Sequence, residues 1–193
     1  MVHGYVPPGS QPTRWDCDVV DVNIASPLGN PRQGPLVERV IDAMANVVSG
    51  APDVRVFNLS FGTTLSLGRM TPKQRDEALR STADLDGFAS EHDLVVVVAA
   101  GNSTPGLSPA AGYPNHAKDP DWAYGALAPA ANAITVGAFA DAFHILGGQS
   151  IPSYPGWPSP FCRVGQSPIK VTKPDFSAPG GASDLAMSPR VEP

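Results

Sequence analysis

The sequence predicts an α/β protein with three layers, in which helices cover both faces of a mostly parallel sheet. Strand-like and helix-like segments alternate along the chain, which is the pattern of crossover connections in a parallel sheet. One central strand is a continuous apolar run, VVVVAA, typical of strands that are buried in such sheets. With 42% hydrophobic residues among 193, the chain is long enough for one core, so we expect a single domain over residues 1–193.

The first elements are a strand and a helix. Residues 17–24 (CDVVDVNI) are rich in valine and predict a strand. Residues 36–49 carry apolar side chains at helical spacing, and Gly50 follows as a plausible stop. A second strand with a turn is expected over residues 53–62.

The next helix is expected over residues 70–93. Thr71 is placed to cap it, and Pro72 suits its first turn. Its predicted apolar face consists of Leu79, Ala83, Leu85, Phe88 and Ala89.

The second half of the chain alternates strands with long loops. Residues 94–101 form the apolar strand, which we expect to be buried on both sides, and residues 132–139 form a fourth strand. Between them, residues 102–130 are a loop with five prolines, and residues 147–168 are again rich in Gly and Pro. The segment KPDFSAPGG, residues 173–181, ends in a turn signal.

Charge and motif content exclude several classes of function. The net charge is −5, from 13 basic and 18 acidic residues without a basic cluster, so we expect no nucleic-acid partner. No apolar run approaches the roughly 18 residues of a membrane helix, so we expect no membrane partner. The phosphate-cradling glycine motifs of nucleotide-binding α/β domains and Cys/His metal motifs are lacking, so neither cofactor nor metal is expected.

The two cysteines, Cys17 and Cys162, lie far apart in the sequence. Two free, partly buried thiols are the simpler interpretation, and a disulfide between them remains open.

Two predicted strands end in unusual residues, and ligands of parallel sheets bind outside the carboxyl ends of strands. The ends read NLSFG, residues 58–62, and AAGN, residues 99–102. Small residues let a ligand backbone approach closely, and a fixed amide at Asn102 suits an oxyanion hole. The alternative, on spacing alone, is that Asn102 only tightens the loop.

Five motifs resemble those of subtilisin-like serine peptidases, in the order of that family, across residues 54–181. VVVVAAGNS resembles the oxyanion-asparagine segment, and RVFNLSFG resembles the strand ending in Asn-x-Ser-x-Gly. PAANAITVGAF is similar to the strand that follows. SPFCRVG is similar to the Phe-Ser-x-x-Gly-type segment, and KPDFSAPGG to the Lys-Pro-Asp-x-x-Ala-Pro-Gly segment before the nucleophile.

The resemblance implies a function for each of these strand ends. Asn102 would donate to the tetrahedral oxyanion. A substrate-pairing edge would consist of Ser60, Phe61 and Gly62. The second wall of the main specificity pocket would consist of Ala99, Ala100 and Gly101. The implied activity is cleavage of peptide bonds in a peptide or protein substrate.

The family's Ser-His-Asp triad is not visible in the sequence. We find no Asp-Ser/Thr-Gly turn for the aspartate, no His-Gly-Thr for the histidine and no Gly-Thr-Ser for the serine. The single His-Gly pair is His3-Gly4. In the family this histidine opens a helix, which Pro7 and Pro8 would break here. Two interpretations remain open. The chain is an internal fragment of a serine endopeptidase domain, inactive alone, or a non-catalytic peptide-binding relative of the same fold.

Other polar residues are interpreted as structural. They are His92 and Asp93 at a helix end, His144 after a strand, and Ser103, which lies outside any nucleophile elbow. A calcium site at His116, Asp119 and Asp121 is the weaker interpretation of that loop cluster.

Overall fold

The computed structural model describes residues 36–61, 65–103, 113–115, 119–141, 144–146, 151–165 and 170–180. The chain divides into two compact units, Met1–Gly34 and Pro35–Pro193, and every described residue belongs to the second. The strand predicted at residues 17–24 lies outside the described residues, as do His3 and Cys17. The expectation of a single domain therefore stays a prediction.

Within the described residues, four strands form a parallel sheet in the order β1-β2-β3-β6, and β4 pairs with β5 in a small antiparallel ribbon. The strands are β1 (Val56–Leu59), β2 (Val95–Ala99), β3 (Ala133–Phe139), β4 (His144–Leu146), β5 (Ile151–Ser153) and β6 (Phe176–Pro179). The predicted fold class, a parallel α/β sheet with helices, is confirmed. No helix in the described ranges is both long and apolar enough to cross a membrane.

The first helix, α1, covers Leu36–Gly50, as its pattern predicts. Its buried residues are Val37, Val40 and Met44, which recur at the spacing of one helix face. Gly50 is its last residue.

The second helix, α2, covers Pro72–Glu91 and begins with a capping box. The Thr71 hydroxyl accepts a hydrogen bond from the Gln74 backbone, and the Gln74 side chain accepts one from the Thr71 backbone. Two backbone N–H groups that a helix start leaves unpaired are thereby satisfied, so the predicted cap is confirmed.

The buried face of α2 differs from the predicted one. It consists of Thr82, Leu85 and Ala89, while Ala83 is exposed. The Thr82 hydroxyl donates to the carbonyls of Ala78 and Ala126, so a polar side chain is satisfied inside the core. The spacing of apolar residues does not predict that a polar residue such as Thr82 is buried.

The two faces of the sheet differ in burial within the described part of the chain. Val96, Val98 and Thr135 are buried on one face, and the Thr135 hydroxyl donates to the carbonyl of Ala128 at 2.7 Å. On the opposite face three large apolar side chains are exposed, those of Val56 (62%), Val95 (43%) and Phe176 (65%). The expectation that β2 is buried on both sides is therefore wrong for its first valine, Val95.

Strand β6 lies inside the segment for which only a turn was expected. Lys173 Nζ donates to the carbonyl of Ala133 at 2.6 Å and to Asp175 Oδ2 at 2.8 Å. The same Asp175 oxygen accepts from the backbone N–H of Thr135 at 2.6 Å. Lys173 and Asp175 thus attach β6 to β3, a partner 40 residues away in sequence.

The Asp175 carboxylate is stabilised in its charged form. Burial alone would raise its pKa, but the hydrogen bonds from Lys173 and from the Thr135 backbone outweigh burial and lower the pKa below the ordinary value.

Candidate functional site

The ends of β1 and β2 lie side by side at the carboxyl edge of the sheet. The two strands are parallel, and Leu59 lies opposite Val98. The segments that follow, Ser60-Phe61 and Ala99–Asn102, therefore leave the sheet at the same edge, as the sequence predicts. Ser60 is exposed and its hydroxyl accepts a hydrogen bond from the Asn58 amide at 2.9 Å. Gly62 lies outside the described residues.

The turn after β2 depends on Gly101. Ala100 before it is buried, and Asn102 after it is exposed. Gly101 has a φ of +92°, a conformation that side-chain-bearing residues rarely adopt. The glycine allows the chain to turn sharply from a buried strand and to place a polar amide at the surface.

Backbone bonds from a distant segment hold this turn in place. Asn102 and Cys162 form an antiparallel bridge. Ser103 N–H donates to the Phe161 carbonyl at 2.7 Å, and Arg163 N–H donates to the Gly101 carbonyl at 2.9 Å. The SPFCRVG motif therefore positions the segment that carries Asn102.

Arg163 adds side-chain bonds to the same turn, a position that its sequence context does not predict. Its side chain is only 1% exposed, with Nε donating to the Asn102 carbonyl and Nη1 to the Ala123 carbonyl, both at 2.7 Å. Burial lowers the pKa of Arg163, and the charge of Asp121 offsets part of this effect. In the sequence, Arg163 is the single charged residue of the motif SPFCRVG. That pattern does not show that the arginine side chain is buried.

A small cleft lies against the predicted pocket wall. Ala99, Ala100 and Gly101 line it, and the other lining residues are Gly125, Leu127, Ala128 and Arg163. Its volume is about 10 Å³, room for about one water molecule. Ser60 and Phe61 lie at the same sheet edge but do not line this cleft.

The loop carboxylates have structural partners. The Asp119 side chain caps the short 3-10 helix Pro120–Trp122 by accepting from the Asp121 backbone at 2.9 Å. Asp121 forms two bonds with the Arg69 guanidinium, which lower the pKa of Asp121. No cluster of three or more His, Cys, Asp or Glu side chains suited to a metal occurs among the described residues, and His116 lies outside them.

Three other candidate positions also lie within the described part of the chain. His92 caps the C-terminal end of α2, and its ring centroid lies 4.4 Å from that of Phe88. His144 is the first residue of β4. Ser103 is buried, and its hydroxyl has no hydrogen-bond partner in the described part of the structure.

Cys162 is a buried free thiol. Its sulfur accepts from the Ala138 backbone at 3.2 Å and donates to the Arg163 carbonyl at 3.3 Å. Burial raises the pKa of Cys162 and outweighs the opposing effect of the Ala138 bond. A protonated, buried thiol of this kind is a poor nucleophile.

The Subtilase family matches residues 16–192 of this sequence. The chain belongs to the subtilase family. The resemblance carried by the five motifs is thereby confirmed. The subtilase family is a family of serine peptidases, which act on proteins or peptides.

Among solved structures, a protein named S41 psychrophilic protease is similar to this subtilase chain at 18% sequence identity, with a TM-score of 0.33. The match covers 75% of this chain and 38% of the protease, so the chain spans well under half of that protein. Comparison with curated proteins gives no match.

Proposed function

We propose that this subtilase chain supplies the oxyanion donor and the substrate cleft of a serine endopeptidase that cleaves peptide bonds through a Ser-His-Asp triad. The observation that carries the proposal is the position of Asn102. It is an exposed residue in the turn that follows the parallel strand β2, at the edge where β1 also ends. Ligands of parallel sheets bind at this edge.

Asn102 is proposed to stabilise the charge that develops on the substrate carbonyl oxygen. A donor of this kind accelerates the reaction when it is already oriented before the charge appears. The backbone bonds of Gly101 and Ser103 and the Arg163–Asn102 bond attach the turn to the segment around Cys162. The main chain of the proposed donor is therefore preorganised.

The neighbouring segments are proposed to bind the substrate backbone. An extended peptide can add to an open strand edge by main-chain hydrogen bonds, while pockets select its side chains. In this proposal Ser60, Phe61 and Gly62 form the pairing edge, and Ala99, Ala100 and Gly101 wall the pocket. Acyl transfer itself would require the triad, which activates the serine.

The second candidate is a non-catalytic peptide-binding protein of the same fold. One observation favours this candidate: the sequence carries no recognisable motif for the triad aspartate, histidine or serine. In that case the same edge binds a peptide and Asn102 donates to a carbonyl that is not attacked.

Sequencing the encoding locus beyond both ends distinguishes the two candidates. A reading frame that continues into Asp-x-Gly and His-Gly-Thr upstream and Gly-Thr-Ser downstream is expected for the peptidase. In-frame stops on both sides would overturn the peptidase and leave the peptide-binding candidate.

If the frame continues, the expressed protein is assayed for peptide hydrolysis with Asn102→Ala. We expect kcat to fall by about 10²–10³-fold with little change in KM, because the lost interaction forms in the transition state. Asn46→Ala, which removes an exposed amide on α1, is the matched control. An unchanged kcat in Asn102→Ala would refute the assignment of the donor.

A further inference from the structure

We propose that Arg163 closes the cleft beside Ala99–Gly101, so that the cleft accepts only glycine or the small side chain of alanine or serine in a bound peptide. The inference rests on the proposed function, because it takes this cleft as the site where the peptide's side chain is selected. It adds the substrate class and the residue that determines it.

The aliphatic part of Arg163 fills the space next to the pocket wall. A Cβ atom built on Gly101 would lie 3.2 Å from Arg163 Cδ and 3.6 Å from its Nε. Because Gly101 has no side chain, the arginine packs directly against the backbone of the turn. The glycine leaves space beside the main chain, and Arg163 occupies it.

The Arg163 side chain is also fixed at its far end. Its guanidinium donates to the carbonyls of Asn102 and Ala123, at 2.7 Å each. The residue itself is only 1% exposed. Moving it out of the cleft would break both bonds and leave two partly buried carbonyls without these donors, which is costly. A large peptide side chain therefore cannot displace Arg163 cheaply.

The remaining volume sets the size limit. The cleft offers about 10 Å³, about one water molecule, and Leu127, which also lines it, is buried. A methyl or hydroxymethyl group needs little more room than this, whereas leucine and phenylalanine side chains need several times as much. Packed interiors do not yield to such an excess of volume without strain.

Binding of short peptides to the 193-residue chain tests the proposal. The probes are four N-acetylated tetrapeptides that share their first three residues. The fourth residue is alanine, leucine, phenylalanine or aspartate, and each peptide has a free C-terminal carboxylate. Dissociation constants are measured by calorimetry, and the amide signals of Gly101 and Asn102 report the site by NMR. We expect the alanine peptide to bind at least about tenfold more tightly than the leucine and phenylalanine peptides.

Substitution of Arg163 provides the second measurement. Arg163→Ala is expected to bind the leucine peptide more tightly than the wild type does, and so to reverse the preference, which a general loss of folding would not do. Arg163→Lys keeps a long aliphatic chain in the cleft and is expected to keep the preference for alanine. Arg69→Ala, at an exposed arginine, is the matched control.

Each outcome decides the proposal. Equal or tighter binding of the leucine or phenylalanine peptide to the wild type overturns it, and this comparison stands even if Arg163→Ala fails to fold. Tightest binding of the aspartate peptide also overturns it, because recognition would then follow the charge of Arg163 and not size. Absence of binding for all four peptides refutes the proposed peptide cleft itself, and this inference with it.

Discussion

Arg163 Nε lies 2.7 Å from the carbonyl oxygen of Asn102, and this bond joins two segments that are 61 residues apart in sequence. A second bond, from Arg163 Nη1 to Ala123, brings in a third segment. One buried cation therefore organises the turn that presents Asn102, although its own position is set by the fold and not by its neighbours in sequence.

Arg163→Ala should lower the free energy of unfolding by about 2–4 kcal/mol, because two carbonyls lose charged donors and the packed stem is removed. Urea denaturation at neutral pH measures the change. Arg163→Lys should recover part of the loss. Arg69→Ala, whose side chain is exposed beside Asp121, should change stability little; a loss equal to that of Arg163→Ala would contradict the importance of burial.

Asn102→Ala should leave the free energy of unfolding within about 0.5 kcal/mol of the wild type, because the side chain is exposed. Its backbone bonds to the Arg163 side chain and to the Cys162 segment do not depend on the amide. The same denaturation assay measures this. Strong destabilisation would instead favour the interpretation that Asn102 only tightens the loop.

Asp175→Asn should make the protein less sensitive to acid. The folded-state pKa of Asp175 is lowered, so its contribution to stability is complete above the unfolded pKa of about 3.9 and is lost as the pH falls through the folded value. At pH 7 the variant should be less stable by about 1 kcal/mol, a figure reduced for a side chain that is 34% exposed.

The measurement is the free energy of unfolding between about pH 7 and pH 2, compared as a difference between wild type and Asp175→Asn. This difference should shrink as the pH falls. Asp76→Asn, at an exposed position on α2, is the control for loss of one negative charge. A difference that stays constant with pH would show that the ionised Asp175 contributes nothing.

Gly68→Ala should destabilise the protein by about 1–3 kcal/mol. A Cβ there would collide with the Pro120 carbonyl oxygen and lie 2.7 Å from the Pro120 Cα, and backbone atoms cannot move aside as a flexible side chain can. Gly87→Ala is the contrasting variant, because that helical glycine is exposed and, apart from its chain neighbours and its own helix backbone, no atom lies within 4 Å of a built Cβ. It should stabilise by about 0.5–1 kcal/mol, and thermal unfolding of both variants measures the contrast.

Thr71→Ala should cost about 1 kcal/mol, because it removes the hydroxyl that accepts from the Gln74 backbone at 3.3 Å. Thr71→Ser retains the hydroxyl and should retain most of the stability. Chemical denaturation of the two variants provides the measurement. A similar loss in both would indicate that the methyl group of Thr71, and not its capping bond, stabilises the start of α2.

The local elements follow from the sequence alone because their signals are local. The apolar spacing over residues 36–49 and the Thr71-Pro72 start each act within a few residues of the helix that they specify, and the structure has both helices there. The motif order likewise determined the family, and the valine-rich run determined β2. The roles of Asn102 and its neighbours in binding and catalysis remain predictions.

Only the tertiary structure decided the pairing of β6 with β3, the burial of Thr82 and the location of Arg163 under the turn. Each depends on a partner far away in sequence: Thr135 for Asp175, Ala126 for Thr82, and Asn102 for Arg163. A threonine or an arginine is usually exposed, and it becomes part of the core only where the fold supplies acceptors for its donors. Those acceptors are backbone carbonyls, and their positions do not exist until the chain has folded.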